Sequence, residues 1–348
     1  MNILNTDFVN TIFKNHKEES LFGKWIHYKQ ISPILEKLSL KLNVSLIGSS
    51  EENVPINSVK FGSGKKKILI WTQMHGNEST GTRALFDFFN CIVYSENKII
   101  KNILKECTIL CIPMLNPDGS LNYTRVNQNG IDLNRDAVDR KAKESKLLRS
   151  VLENFNPQFC FNLHDQRTIF GVEGTENPAT ISFLAPSEEE TRKLTKGRIE
   201  TMNVIVSMNN LLQKIIPNHI GRYTDEFYPT ATGDNFQKLG FNTVLIEAGH
   251  FPNDYDREEA RKFNFFALLQ GIHHISSSNK FEDYKAYFDI PNNQKNFFDV
   301  IVENKNAKDK AFLYVDKIKD GKFVSELQLE KEGDLSGFIA HSKKHQKK

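Results

Sequence analysis

A histidine and a glutamate stand three residues apart in Trp71-Thr72-Gln73-Met74-His75-Gly76-Asn77-Glu78. Their nitrogen and oxygen donors can meet at one small cation. A second histidine, His164, closes the run Phe159-Cys160-Phe161-Asn162-Leu163, and a glutamate, Glu247, closes Asn242-Thr243-Val244-Leu245-Ile246. Two histidines and a glutamate are a donor set of hydrolytic zinc, which takes three protein ligands and keeps a fourth position for water. Glu247 follows an apolar run, where a carboxylate is costly to bury unless it is paired or serves as an acid or base. Each residue alone also has a plainer reading. His75 and Glu78 suit a polar helix start with an acidic first turn. His164 suits a capped, core-edge histidine, and Glu247 an ion-paired carboxylate.

Further candidates lie in the irregular stretch Arg125-Val126-Asn127-Gln128-Asn129-Gly130-Ile131-Asp132-Leu133-Asn134-Arg135. Arginine presents a planar fork matched to carboxylates, although solvated loop arginines read equally well from composition. Upstream, Asn116-Pro117-Asp118-Gly119 reads as a turn. Tyr228 sits in Glu226-Phe227-Tyr228-Pro229-Thr230-Ala231-Thr232-Gly233-Asp234, a loop expected to move.

These residues need elements to position them. Lys67–Trp71, Cys107–Met114, Phe159–Leu163 and Asn242–Ile246 are apolar runs, as expected of strands covered on both faces. Val44–Gly48 and Pro55–Phe61 alternate like strands. Helices are expected over Ser32–Leu38, Gly81–Val93, Lys141–Phe155, Glu188–Leu212 and Asp256–Ile275. Strands alternating with helices argue an α/β fold with helices on both faces of the sheet. His75, His164 and Glu247 each follow a strand. Open α/β sheets collect ligands at the carboxyl ends of their strands, so these residues are expected to converge. Beyond Ser278 the texture changes. Short strand-like runs, Tyr287–Pro291, Phe297–Val302, Ala311–Val315 and Lys322–Ser325, suggest a small β-rich appendage over 279–348, after a catalytic domain over 1–278. The appendage shows no obvious chemistry and is expected either to pack on the main domain or to mediate self-association.

The chain has 348 residues, is 39% hydrophobic and 26% charged, and carries a net charge of +3 with both signs interspersed. That balance gives no case for nucleic acid or a membrane surface. The Lys343–Lys348 end reads as a solvated tail. The start, Met1–Asp7, lacks a basic segment followed by an apolar one, so no secretion signal is expected. Cys91, Cys107, Cys111 and Cys160 show no C-x-x-C spacing, and reduced core thiols in a cytoplasmic protein are the expectation.

In order, His75-x-x-Glu78, Asn116-Pro117-Asp118-Gly119, Arg125-x-Asn127, Gly130-x-Asp132-Leu133-Asn134-Arg135, His164, the Tyr228–Gly233 loop and Glu247 resemble the zinc metallocarboxypeptidase family, with the carboxypeptidase A-like fold, over roughly residues 65–275. The resemblance implies a mixed, largely parallel twisted sheet with helices on both faces, plus the C-terminal appendage. It implies one zinc per chain held by His75, Glu78 and His164. Glu247 is then the general base, and afterwards the acid that protonates the leaving amine. Arg125 stabilises the oxyanion, Asn134 and Arg135 hold the terminal carboxylate, and Tyr228 closes over the substrate. The implied substrate is a short peptide with a free C-terminal carboxylate, a murein-derived peptide being one possibility. The metal loop suits the related aspartoacylase and succinylglutamate desuccinylase branch as well, which would make the chain a deacylase of N-acyl amino acids. A non-catalytic relative is the third reading. The chain departs from the family at Asn77, where digestive members carry Arg, and at Asp136-Ala137, where many have Asn and an aromatic residue. Asn235, with Asp234 beside it, is the residue expected to face the substrate side chain. Asp165 is a candidate outer carboxylate for a ligating histidine.

Overall fold

The computed structural model describes residues 1–304 and 307–345. Along the chain run α1 (Thr6–His16), α2 (Tyr28–Ser39), β1 (Asn43–Ser49), β2 (Pro55–Phe61), β3 (Lys66–Thr72), α3 (Thr80–Tyr94), α4 (Lys98–Glu106), β4 (Cys107–Ile112), α5 (Pro117–Asn122), α6 (Lys143–Phe155), β5 (Phe159–Asp165) and β6 (Phe170–Val172). They are followed by β7 (Ile181–Leu184), α7 (Lys196–Leu212), β8 (Ile220–Arg222), α8 (Thr232–Lys238), β9 (Asn242–Ala248), α9 (Glu258–Ser277) and five further strands. Those are β10 (Asn293–Lys295), β11 (Phe297–Glu303), β12 (Asp309–Lys319), β13 (Lys322–Gly333) and β14 (Ile339–His345).

The main sheet has eight strands in the order β1-β2-β4-β3-β5-β9-β7-β8. Its centre, β4-β3-β5-β9, is parallel, and antiparallel pairs flank it on both sides. The parallel centre explains the apolar runs. On β3, Ile68 and Ile70 enter the larger core with α3, α7 and α9, while Leu69 and Trp71 enter a second core with α6 and Phe236. The connection after β3 places β4 on one side, and the chain later returns to place β5 on the other. The strand order therefore reverses at β3/β5, and a crevice opens there at the strands' carboxyl ends.

Several elements differ from expectation. Helix α2 starts at Tyr28 rather than Ser32, because the Gln30 side chain accepts from the His27 N–H at 2.9 Å and fixes an earlier turn. Pro33 is accommodated inside the helix. Helix α7 starts at Lys196 rather than Glu188. The Glu188-Glu189-Glu190 run repels itself, Arg192 has a φ of 55°, and the Thr195 hydroxyl caps the Arg198 N–H. Residues Asn116–Gly119 open the short helix α5, with Asn116 as cap and Pro117 in its first turn. Tyr287–Pro291 is no strand. A 3-10 turn ends at Tyr287, which is buried with Phe281 and Ile290 in the main core.

Packing therefore changes at about Phe297 rather than Ser278. A separate small core of Phe298, Ile301, Ala311, Leu313 and Leu335 lies within a four-stranded sheet ordered β13-β12-β11-β14. Lys343, Lys344 and His345 belong to β14, which pairs in parallel with β11, and so are not a tail. Gln346, Lys347 and Lys348 lie outside the described residues. All four cysteines are buried and unpaired. Among the described residues, no helix is long and apolar enough to cross a membrane.

The helical face is locked by a buried ion pair. Asp87 on α3 accepts from Arg261 Nε at 2.7 Å and Nη2 at 2.5 Å, and from the Glu18 N–H at 2.7 Å. Both side chains are fully buried. Breaking one partner of a buried pair strands the other charge. Asp87→Ala should therefore destabilise the chain by about 3–5 kcal/mol, read as a lowered urea midpoint at unchanged slope.

Candidate active site

The chain leaves β3 through Gln73, whose φ of 50° is unusual for a residue with a side chain. Its amide holds that geometry by donating to the Ile26 and Gly76 carbonyls at 2.8 Å each and accepting from the Thr82 hydroxyl at 2.8 Å. Gly76 then packs on the start of α5. A Cβ at Gly76 would lie 1.9 Å from the backbone carbon of Gly119. The glycine between His75 and Glu78 and the glycine of Asn116-Pro117-Asp118-Gly119 thus form one backbone-to-backbone contact.

On that loop His75 and Glu78 turn toward His164. His75 Nδ1 lies 2.8 Å from Glu78 Oε1, His164 Nδ1 2.8 Å from Glu78 Oε2, and the two Nδ1 atoms are 3.1 Å apart. All three residues are buried, and their donor atoms fall within 4.8 Å of one another. Burial alone would raise the Glu78 carboxyl, but the two imidazoles hold it well below the usual carboxylate range. Burial opposes charge on His75 too, yet Glu78 and Asp132 raise it, whereas His164 is lowered by burial.

The surrounding partners suit a cation. His75 Nε2 lies 3.0 Å from Asp132 Oδ1, an arrangement that leaves Nδ1 aimed at the other donors. Asp132, not Asp165, is thus the outer carboxylate. Nothing in a separation of 57 residues signals this contact. Asp165 instead contributes its backbone N–H to Glu78 Oε2 at 3.0 Å, and its side chain accepts from Thr80. Two imidazoles and a carboxylate, oriented by outer hydrogen bonds, fit a zinc ion by donor type and number.

Glu247 is placed by register. β5 and β9 are parallel with His164 opposite Glu247, so both side chains leave the same face of neighbouring strands, which lie about 4.8 Å apart. Among the described residues no group donates a hydrogen bond to Glu247. Burial, then the negative charges of Glu78 and Asp165, push its carboxyl well above the ordinary range.

A cavity of about 690 Å³ joins His75, Glu78 and Glu247 to Arg125, Asn134, Arg135 and Tyr228. Arg125 bonds to Glu78 Oε1 at 3.3 Å and to Asp132 Oδ2 at 3.0 Å. The Asn134 amide oxygen accepts from the Thr232 N–H at 3.1 Å. Arg135 donates to the Asn134 carbonyl, and its guanidinium stands 6.0 Å from the exposed Tyr228 ring. Tyr228 itself bonds to Glu226 at 3.0 Å. Asp136, at a departure from the family pattern, holds the segment leading into α6 by accepting from the Lys141 and Ala142 N–H groups at 2.9 Å each. Asp234, not Asn235, lines the cavity. Asn235 turns outward and accepts from Arg149 at 3.2 Å, because α8 starts at Thr232 and sets which side chain faces in. Lys24, Tyr223, Tyr255, Arg257 and part of β12 also line it, and the sequence carried no signal for them.

The sequence pattern of a family described as "Zinc carboxypeptidase" matches residues 33–214. Carboxypeptidase SOL1 of Arabidopsis thaliana is 27% identical over 137 residues, 35% of this chain and 28% of that protein. Carboxypeptidase 2 of Trichophyton tonsurans is 25% identical over 101 residues, 28% of this chain and 19% of that protein. The chain therefore aligns with under a third of either relative's length. The solved metallo-carboxypeptidase from Burkholderia cenocepacia superposes with a TM-score of 0.57 at 16% identity, over 72% of this chain and 69% of that one. At that identity the likeness shows the fold.

Two outcomes follow for this site. Gly76→Ala should cost about 2–3 kcal/mol by overpacking the Gly119 contact and should lower the zinc content of the purified protein, measured by metal analysis. Asp234 gives a pH signature. Burial pushes its carboxyl up to about 6, against the Tyr228 N–H and the charges of Arg135 and Arg198. The folded state then binds a proton that the unfolded state has released, so the contribution is full below about pH 4 and is lost as pH rises through 6. Asp234→Asn should gain roughly 2–3 kcal/mol over the wild type between pH 4 and 7, seen in paired urea melts.

Proposed function

The chain belongs to the zinc carboxypeptidase family, and on that premise we propose that it is a zinc-dependent carboxypeptidase that removes the C-terminal residue of a short peptide. One observation carries this reading. His75 and Glu78 of the three-donor cluster, the Glu247 carboxylate, which accepts no hydrogen bond among the described residues, and two arginines line a single cavity. In the proposed site His75, Glu78 and His164 hold one zinc per chain. Bound zinc supplies Lewis-acid polarisation of the scissile carbonyl and acidifies water.

The remaining steps belong to the chain's own residues. Glu247 takes a proton from the attacking water as the new C–O bond forms, and its raised proton affinity suits that task. It then delivers the proton to the amide nitrogen as the C–N bond breaks. Arg125 faces the developing oxyanion. Arg135, which has no carboxylate partner among the described residues, clamps the substrate's terminal carboxylate beside Asn134. Tyr228, exposed at the cavity mouth, closes over the bound substrate. Asp234 adds a negative charge to the wall, which suits an amino-bearing side chain, and murein-derived peptides with such side chains fit this class. The four buried, unpaired thiols suit a reducing, cytoplasmic setting.

A deacylase of N-acyl amino acids would use the same residues. That second reading gains support from the C-terminal sheet, which occupies part of the cavity wall.

The test compares peptides with free and amidated C-termini. Glu247→Gln should keep its zinc but lose on the order of 10²–10⁴ in kcat, the usual scale of general-base catalysis. Arg135→Ala should lower kcat/KM for the free acid and erase the discrimination against the amide. Full activity after exhaustive chelation would remove zinc from the reaction, and unchanged turnover in Glu247→Gln would remove Glu247.

A further inference from the structure

The C-terminal sheet is built into the catalytic cavity rather than hung beside it. Leu313, Tyr314, Val315 and Asp316 of β12 line the same cavity as Glu247 and the metal-donor cluster. Tyr314 and Asp316 lie two apart and so leave the same face of the strand. The Tyr314 ring packs edge-on against Tyr255 at 5.1 Å. The Asp316 carboxylate pairs with Lys24.

That ion pair joins two segments that line the cavity. Lys24 belongs to the segment between α1 and α2, and its carbonyl accepts from the hydroxyl of Ser79, the residue after Glu78, at 2.5 Å. One end of the bridge is thus fixed to the metal loop and the other to β12. The opposite side of the sheet is fastened to the chain leaving His164. The fully buried carboxylate of Asp299 accepts from Thr168 Oγ1 at 3.1 Å, from the Tyr255 hydroxyl at 3.1 Å and from the Tyr314 N–H at 2.8 Å. His341 Nε2 bonds to the Thr168 carbonyl at 2.9 Å. Swinging the sheet away would strip a buried carboxylate of its two donors from the main unit, Thr168 and Tyr255, at a cost of a few kcal/mol. The wall is therefore a fixed part of the site.

We propose that this sheet, with the Lys24–Asp316 bridge, closes the end of the cleft that receives the amino side of the substrate and so restricts the enzyme to very short substrates. The inference rests on the carboxypeptidase reading for the direction in which the substrate lies. Asn134 and Arg135, the carboxylate clamp of that reading, are held by α8 and the Tyr228 loop, which share none of the sheet's anchors. The carboxylate clamp and the sheet thus line one cavity from differently anchored parts of the chain. The cavity holds about 690 Å³, and three residues of extended chain, roughly 10 Å, set the length limit we test. Protein C-termini and long peptides are excluded. Di- and tripeptides, or an amino acid bearing a short acyl group, are admitted.

The experiment measures kcat/KM of the full-length protein on peptides that share one C-terminal dipeptide and grow from two to eight residues at the amino end. N-acyl amino acids are assayed in parallel. The same peptides are titrated into Glu247→Gln by calorimetry, so binding is read without turnover. We expect kcat/KM and affinity to fall at least tenfold beyond about three residues. Tyr314→Ala and Asp316→Ala should raise the long-to-short ratio of kcat/KM by about tenfold. Asp316→Asn, which keeps the shape and removes the ion pair, should raise it less and guards against misfolding of the larger changes. Equal kcat/KM at every length would overturn the wall and leave the carboxypeptidase reading standing. So would a length dependence unmoved by wall variants that still melt cooperatively. Turnover of N-acyl amino acids with no peptide bound or cut would defeat the carboxypeptidase reading and support the closed end, because an acyl group is the shortest amino-side extension.

Discussion

The parallel register of β3, β5 and β9 is the constraint on which the site depends. Thr72 lies opposite Leu163, and His164 lies opposite Glu247. The strands end level with one another, so the side chains that follow them reach the same crevice. A slip of one residue in β9 would turn Glu247 into the core and present Ile246 or Ala248 in its place. The apolar alternation on both faces of the sheet resists that slip, since it would also invert the burial of Val244 and Ile246. The hydrophobic cores thus set the geometry of the candidate site indirectly, by fixing register.

The second requirement is close backbone approach. The loop after β3 reaches the crevice only because Gly76 lies directly on Gly119 and Gln73 tolerates a left-handed conformation. Both features are locally unfavourable for ordinary residues, and both sit beside the putting together of His75 and Glu78. The surrounding charges follow from that crowding. Glu78, Asp132, Asp165 and Glu247 share a small volume, and Arg125 and Arg257 are the nearby cations. Glu78 and Asp132 are held ionised by their imidazole and guanidinium neighbours. Glu247 has no such partner, and its high proton affinity is the result. Arg125 and Arg257 act on Glu247 only from a distance, and burial with the charges of Glu78 and Asp165 outweighs them.

The C-terminal strands extend the same logic. Their anchors, Thr168 and Tyr255, lie in connections that leave β5 and β9, the two strands that carry His164 and Glu247. The appendage is thereby referenced to the site and not to the distant face of the fold. Its buried carboxylate Asp299 collects donors from the main unit and from β12, which makes it the joint between them.

The class of fold and the types of the candidate donor residues were legible in the sequence alone. Apolar runs of strand length, each followed by His75, His164 or Glu247, were legible because strand burial and ligand type are written locally. The positions of helix starts were less legible, since α2 and α7 begin where side-chain caps compete with propensity. What only the tertiary structure decided were contacts across long separations. Asp132 rather than Asp165 reaches His75, because a loop fold and not adjacency brings it there. Asp234 rather than Asn235 faces the cavity, because the start of α8 sets the helical phase and one residue is about 100° of rotation. The sheet formed by β11 to β14 reads as bland strands in sequence, and only docking through Asp299 and Lys24 makes it a wall of the cavity. Local patterns encode which face of an element is buried. They do not encode which distant surface that element will meet.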